Sequence, residues 1–419
     1  MEYRKLRKMA TISISNVDKK TAENENEVRL CNFVDVYRNW AITKNMISNF
    51  MVATAKESEI EKYALHKGDV CITKDSETKD DIGMSTYIAD DIDNLVLGYH
   101  CALISPDKSV LDGKYLNAFL QTDFVRRFYE LNASGSGQRY TLSLDAIGDI
   151  PIPVISLEEQ KKKGELLSLI DRKIENNNKI NDNLQHLITD IYNYWFVQLC
   201  FPNLEGNPFK HSGGEVVFDR DINRQKPSDW HVSTVSDVCN TQLGGTPDTS
   251  IDDYWGGEIP WLNSGEVASS PIISAEKRIT TLGLNKSATS FSKAGAVLMS
   301  ITRYIRPSVL GIDACYNQSV VAIEPSEDIK TEYLYPFFLS MVDTYMTLRT
   351  GAQQPHINKK IVDETYMLIP SKNVLSKYYE LMSPILRKQV LVAKETQELI
   401  ILRDKLLPLL LSGQATIVN

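Results

Sequence analysis

Two pairs of loops carry the side chains best suited to holding a partner through hydrogen bonds. In the first half of the chain, Thr73-Lys74-Asp75-Ser76 closes an apolar run, and Ser134-Gly135-Ser136-Gly137-Gln138-Arg139 forms a glycine-rich turn. In the second half the corresponding places hold Thr302-Arg303-Tyr304-Ile305-Arg306 and Thr350-Gly351-Ala352-Gln353-Gln354-Pro355-His356. Arginine grips guanine through two parallel hydrogen bonds, and Gln or Asn can do the same for adenine. Hydroxyls and backbone amides position phosphates, and glycine lets backbone approach a groove closely. These residue types nominate Thr73, Lys74, Ser76, Gly135, Gln138 and Arg139, with Thr302, Arg303, Tyr304, Arg306, Gln353, Gln354 and His356, as contacts to double-stranded DNA. Taken singly, each fits a plain turn equally well; it is their recurrence in both halves that singles out the set. Lys161-Lys162-Lys163 is a further phosphate candidate, although a solvated helix face accounts for it better.

Catalytic chemistry finds no comparable footing. The chain has no G-x-x-x-x-G-K-[ST] phosphate loop, Gly283-Leu284-Asn285-Lys286-Ser287 has the wrong spacing, and no G-x-G-x-x-G opens a helix. Asn207-Pro208-Phe209 is a fragment of the Asn/Asp-Pro-Pro-aromatic corner of amino-methyltransferases and reads as a turn. The six cysteines form no C-x-x-C pair, which argues for reduced thiols in a cytoplasmic protein and against a metal site. Glu2-Tyr3-Arg4-Lys5 leads into no apolar signal region, and no apolar run of ~18 residues suggests a membrane span. The expectation is a non-enzyme with no cofactor of its own. Trp255 and Trp261 read as core and turn residues. The net charge of −8 excludes a chain coated in basic residues but leaves room for a local cleft.

The loops sit in an internal repeat. Tyr99-His100-Cys101-Ala102-Leu103-Ile104, Lys114-Tyr115-Leu116 and Phe119-Leu120 return as Asn317-Gln318-Ser319-Val320-Val321-Ala322, Glu332-Tyr333-Leu334 and Phe337-Phe338, with the tyrosines 218 positions apart. Each Gly/Gln loop precedes an alternating apolar stretch ending in Ile-Pro, at Pro153 and Pro370. Gly68-Asp69-Val70-Cys71-Ile72-Thr73 parallels Gly295-Ala296-Val297-Leu298-Met299-Ser300, each a turn followed by a buried strand. More weakly, the stretch from Arg29 to Val36 parallels that from Pro260 to Val267.

A long helix follows each Ile-Pro. Ser156 with Glu159 forms a capping box for the first, whose apolar stripe is Leu167, Ile170, Ile174, Leu184, Ile188, Ile191 and Trp195, with Asn177 and Asn181 on the same side. The second begins around Asn373, with the stripe Tyr378, Leu381, Ile385, Val392, Leu399, Leu402, Leu406 and Leu409, broken by Lys388 and Glu395. An offset of 218 superimposes the stripes and sets Asn177 against Glu395. Repeated seams of this kind belong to helices that pack on each other, and polar seam residues fix register. Pro384 is expected in a first turn or at a break, and Pro408 in an irregular last turn. The domains are accordingly 1–155, a helix at 156–199, a Gly/Asn/Pro-rich linker at 200–229, a second domain at 230–371 and a helix at 372–419.

Gly244-Gly245-Thr246-Pro247 and Tyr254-Trp255-Gly256-Gly257-Glu258-Ile259-Pro260-Trp261-Leu262 resemble the opening of a target recognition domain in specificity subunits of type I restriction–modification systems. Gly351-Ala352-Gln353-Gln354-Pro355-His356-Ile357, Ile150-Pro151-Ile152-Pro153 with Leu157-Glu158-Glu159-Gln160, and the stretch from Leu406 to Gly413 resemble other parts of that family. The first half lacks the Gly-Gly-Thr-Pro and Trp-Gly-Gly strings, so its target is expected to differ. The resemblance implies an α/β fold: two mixed α+β recognition domains in a pseudo-two-fold repeat, with two long antiparallel, coiled-coil-like spacer helices. It also implies a bipartite asymmetric DNA target with one half-site per domain. The implied partners are two modification subunits that methylate adenine with S-adenosylmethionine, and restriction subunits driven by ATP and Mg. The alternative is a two-module adaptor or scaffold that binds protein rather than DNA, which the net acidity favours slightly.

Overall fold

The computed structural model describes residues 2–136, 139–351 and 353–417. The chain divides into two compact units. One comprises Met1–Glu175 with Leu399–Asn419, and the other is Asn176–Glu398.

In the first unit the apolar run Val70–Thr73 is buried at every position: its alternating side chains enter separate cores, Val70 and Ile72 one and Cys71 another. It lies third in a five-stranded sheet ordered Ala10–Ile14, Cys101–Pro106, Val70–Thr73, Ser85–Ile88, Ala41–Ile42. The second unit repeats the device. Val297–Ser300 is fully buried in a four-stranded sheet ordered Asn240–Leu243, Val320–Glu324, Val297–Ser300, Arg306–Val309. The turns into these two strands are made by Gly68 and Gly295, both at φ +104°, a conformation that side chains with a Cβ rarely adopt.

The weaker sequence parallel also has a structural basis. Asn26–Cys31 pairs in parallel with Leu95–Leu97 in the first unit, as Trp255–Leu262 does with Ala314–Tyr316 in the second. Asp35 and Glu266 accept from the backbone amides of Asn32 and Asn263 just beyond those strands. Trp261 is buried, with Nε1 donating to the Gly245 carbonyl, and Trp255 packs edge-on against it, so both are structural as expected. The Ile-Pro segments pair antiparallel with Tyr3–Lys5 in one unit and His231–Thr234 in the other.

The long helices span Leu157–Tyr192 and Lys372–Leu411, hence roughly 54 and 60 Å at 1.5 Å per residue. Half of the expected capping box is present: the Glu159 amide donates to Ser156 Oγ at 3.2 Å, but the Glu159 carboxylate pairs with Lys163. The first helix passes into a π-helical turn at Asn193–Val197. The second helix continues through both prolines, correcting the expected break at Pro384 and irregular end at Pro408.

In the second unit the helices run antiparallel. Asn177 Nδ2 donates to Glu395 Oε2 at 2.8 Å, as the repeat predicts, and Gln389 Nε2 donates to Gln185 Oε1 at 3.1 Å. Ile188 is buried among Tyr192, Trp195, Phe196, Tyr378, Met382 and Leu386, with Ile191 and Ile385 packed against that core. In the first unit Leu167, Leu407, Leu410 and Leu411 share one core, against which Leu406 packs. Across the same helices Asp171 meets Arg403 at 3.7 Å. Ile170, Ile174 and Val392 are buried, and Leu184 and Leu399 are half-buried. Leu402 does not belong to the seam: it is 44% exposed, and Leu381 is exposed too. The second helix instead buries Met382, Leu386, Gln389, Leu407, Leu410 and Leu411, a face that leaves out Leu381 near its start and Leu402 three heptads on.

Candidate nucleic-acid interface

In each unit the strand-end loop and the Gly/Gln loop come together as one small ladder. In the first unit Asp75–Ser76 pairs with Arg139–Thr141, which pairs with Ser134–Ser136. In the second, Thr302 bridges His356 and His356 bridges Thr350. The registers correspond: Thr141 sits between Asp75 and Ser134 as His356 sits between Thr302 and Thr350. Further backbone bonds hold the second ladder, from Arg303 N to the Pro355 carbonyl (2.8 Å) and in both directions between Thr350 and His356 (2.9 Å). Arg349 Nη1 donates to the Arg303 carbonyl. Gly135, paired with Tyr140 inside its strand, stands at φ +129° with no room for a Cβ beside the Arg139 carbonyl, and Gly351 of the second loop stands at φ +101°.

The structure places the nominated residues unevenly. Thr73 is fully buried, with Oγ1 accepting from the Met84 amide, so its expected DNA contact is corrected to a structural role. Lys74 turns Nζ onto both Asp75 oxygens at 2.9 Å, leaving the side chain 18% exposed. Ser76 Oγ accepts from the Thr78 amide. Gly135 and Arg139 are exposed, and Gln138 lies outside the described residues. Thr302 is half-buried, while Arg303, Tyr304, Arg306, Gln353, Gln354 and His356 are exposed. Arg303 stands at φ +58°, and the Arg306 guanidinium lies 5.0 Å over the Tyr304 ring. The His356 ring sets Nδ1 3.1 Å from the Gln354 carbonyl, which a protonated Nδ1 satisfies as donor. Lys162 and Lys163 pair with Glu158 and Glu159, so they are not free phosphate ligands.

Two residues of the first site escaped the sequence reading. Asp75 is buried beneath the ladder and accepts from Lys74, from Thr141 and from His100 Nδ1. Burial alone would raise its carboxyl, but the hydrogen bonds from Thr141, His100 and Lys74 outweigh it and hold the group down at about 2. His100 stands at φ +69° and comes from the repeat segment that begins at Tyr99. That segment was visible in the sequence, but its meeting with Asp75 depends on strand Cys101–Pro106 pairing with Val70–Thr73. Among the described residues no group of three or more His, Cys, Asp or Glu is placed to hold a metal ion, and no helix is long and apolar enough to cross a membrane. All six cysteines are buried and unpaired.

Comparison with known proteins gives these sites their context. A family model described as the type I restriction modification DNA specificity domain matches residues 1–186 and 227–400. The MjaIX specificity subunit of Methanocaldococcus jannaschii, a type I restriction enzyme component, is 23% identical over 309 residues, covering 72% of this chain and 68% of that protein. The HindI specificity subunit of Haemophilus influenzae is 20% identical over 410 residues, covering 84% and 88%. A crystal structure of a type I restriction–modification S subunit from M. genitalium aligns over 97% of this chain and 95% of its own, with a TM-score of 0.59 at 14% identity, a likeness of fold.

Proposed function

Because the chain belongs to the type I restriction–modification DNA specificity family, whose specificity subunits are non-catalytic, we propose that it reads a bipartite, asymmetric DNA target, one half-site per unit, and directs adenine methylation or cleavage by partner subunits. The observation that supports this reading is the pair of reader ladders: one backbone register, built twice, carrying different side chains. Similar scaffolds with different exposed groups suit two modules that read different bases. The two helices are long enough to set a separation of more than one turn of DNA, ~34 Å. Two modification subunits and the ATP-driven restriction subunits supply the chemistry in this reading. Removing the target base from the stack lets reader and catalyst reside on separate chains.

The test is a methylation map of a naive genome after co-expression with the cognate modification subunit. Adenine methylation at one bipartite, asymmetric sequence is expected. A stable complex that leaves the genome unmethylated, or methylates it without sequence preference, would favour the protein-binding adaptor instead.

A further inference from the structure

Arg139 stands at the edge of a pocket of about 470 Å³ lined by Ser15, Lys74, Asp75, Tyr99, His100 and Thr141. Its side chain is 67% exposed, yet one end is held. Nη2 lies 3.6 Å from Asp75 Oδ2, and 3.0 and 3.4 Å from the two ring nitrogens of His100. His100 Nδ1 already donates to Asp75, so it has no lone pair for the guanidinium. With both ring nitrogens at similar range, Nη2 lies beside the imidazole rather than on either lone pair, and Asp75 balances its charge. Nη1 and Nε meet no acceptor among the described residues; because their N–H bonds diverge, a paired donation joins one of them to the second hydrogen of Nη2. Lys74 is fully engaged by the same carboxylate. One ionised carboxylate thus faces two permanent cations, of which Lys74 is drawn in and the Arg139 guanidinium is presented outward.

Resting on the DNA-reading function above, we propose that Arg139 reads a guanine in the first half-site, donating to its O6 and N7, and that Asp75 and His100 are positioning residues that hold the fork. A phosphate contact needs only a cation within reach, which a flexible lysine supplies as a point charge. A base contact needs fixed direction, and a guanidinium braced from beneath by a buried, hydrogen-bonded carboxylate has it. In the second unit Thr302, a neutral hydroxyl, occupies the ladder position of Asp75.

The experiment maps methylation motifs for the complex carrying wild-type chain, Arg139→Ala, Arg139→Lys, Asp75→Asn and His100→Gln. In Arg139→Ala and Arg139→Lys alike, one G·C position of one half-site is expected to relax, with on the order of a tenfold to hundredfold loss of discrimination there. The other half-site stays unchanged. Asp75→Asn and His100→Gln should relax the same position partially and no other. A uniform fall in methylation with the motif intact, or full rescue by Arg139→Lys, would assign Arg139 to phosphate and overturn the proposal. Should Asp75→Asn fold poorly, the two Arg139 variants, altered at an exposed side chain, decide the matter. A wild-type complex that yields no bipartite motif overturns the DNA-reading function itself, and the proposal with it.

Discussion

Asp171 and Arg403 of the first unit stand 218 positions from Gln389 and Gln185 of the second, and each pair meets across the seam of the long helices. Where one unit has an ion pair, the other has two neutral amides. The contrast recurs at the helix ends. The first helix buries Tyr192, Trp195 and Phe196 around Tyr333 and Tyr378, with ring centroids 4.7–5.6 Å apart. The second helix brings Leu407, Leu410 and Leu411 into the core that holds Tyr115. At the ladders the buried acid Asp75 of the first unit is replaced by Thr302 at the equivalent place of the second. Backbone register survives in both units while the side chains filling it differ in charge and polarity. The fold thus constrains where a group sits much more tightly than what it is.

The largest expected break in this comparison is in packing. Phe196→Ala removes the ring at the centre of the aromatic cluster and should cost the second unit about 3–5 kcal/mol, against about 2–5 kcal/mol in the first unit for Leu410→Ala. Hydrogen exchange resolved along the chain should show each loss concentrated in its own unit.

The seam should sharpen the contrast through pH. Burial raises the Asp171 carboxyl; Arg403 offsets part of this and Glu175 adds to it, leaving the group at about 7. The folded state therefore holds a proton on Asp171 between about pH 4 and 7 that the unfolded chain has lost. The resulting stabilisation is full below the unfolded value, near 4, and is lost as pH rises through 7, by on the order of 2–4 kcal/mol. Asp171→Asn should abolish that slope in denaturation measured from pH 5 to 8, whereas Gln389→Asn should leave it in place.

At the readers, Arg303→Ala should cost roughly 1–3 kcal/mol of discrimination at one base pair. The motif mapped from methylation should change in one half-site only, and not in the half-site altered by Arg139→Ala. The smallest effect concerns equivalent tyrosines. Tyr333 donates its hydroxyl to the Leu368 carbonyl, but the buried Tyr115 hydroxyl has no partner among the described residues. Tyr333→Phe should cost about 1 kcal/mol in chemical denaturation, while Tyr115→Phe should be neutral or slightly stabilising.

Much of this architecture was legible because it was written twice. The 218-residue offset located the helices and the Asn177–Glu395 contact, and a longer one of 227 the buried strands at Val70 and Val297, since the periods of strand and helix leave marks on a linear sequence. Leu402 was misplaced, with Leu381, because the heptad set both on the seam, whereas the buried face runs through Met382, Gln389, Leu407 and Leu410. Thr73 was misassigned because a hydroxyl at a strand end looks the same in sequence whether it faces solvent or a neighbouring amide. Asp75 and His100 were invisible as a pair: their meeting depends on strand register across 25 residues, which no local pattern encodes.

The first unit is closed by residues from both ends of the chain. Leu6 and Leu116 share a core with Leu407, Leu410 and Leu411. The second unit is one uninterrupted stretch, Asn176–Glu398. On the ribosome the chain emerges from its amino terminus, so the second unit has all of its residues while the first still lacks the leucines that complete it. The part begun first is finished last.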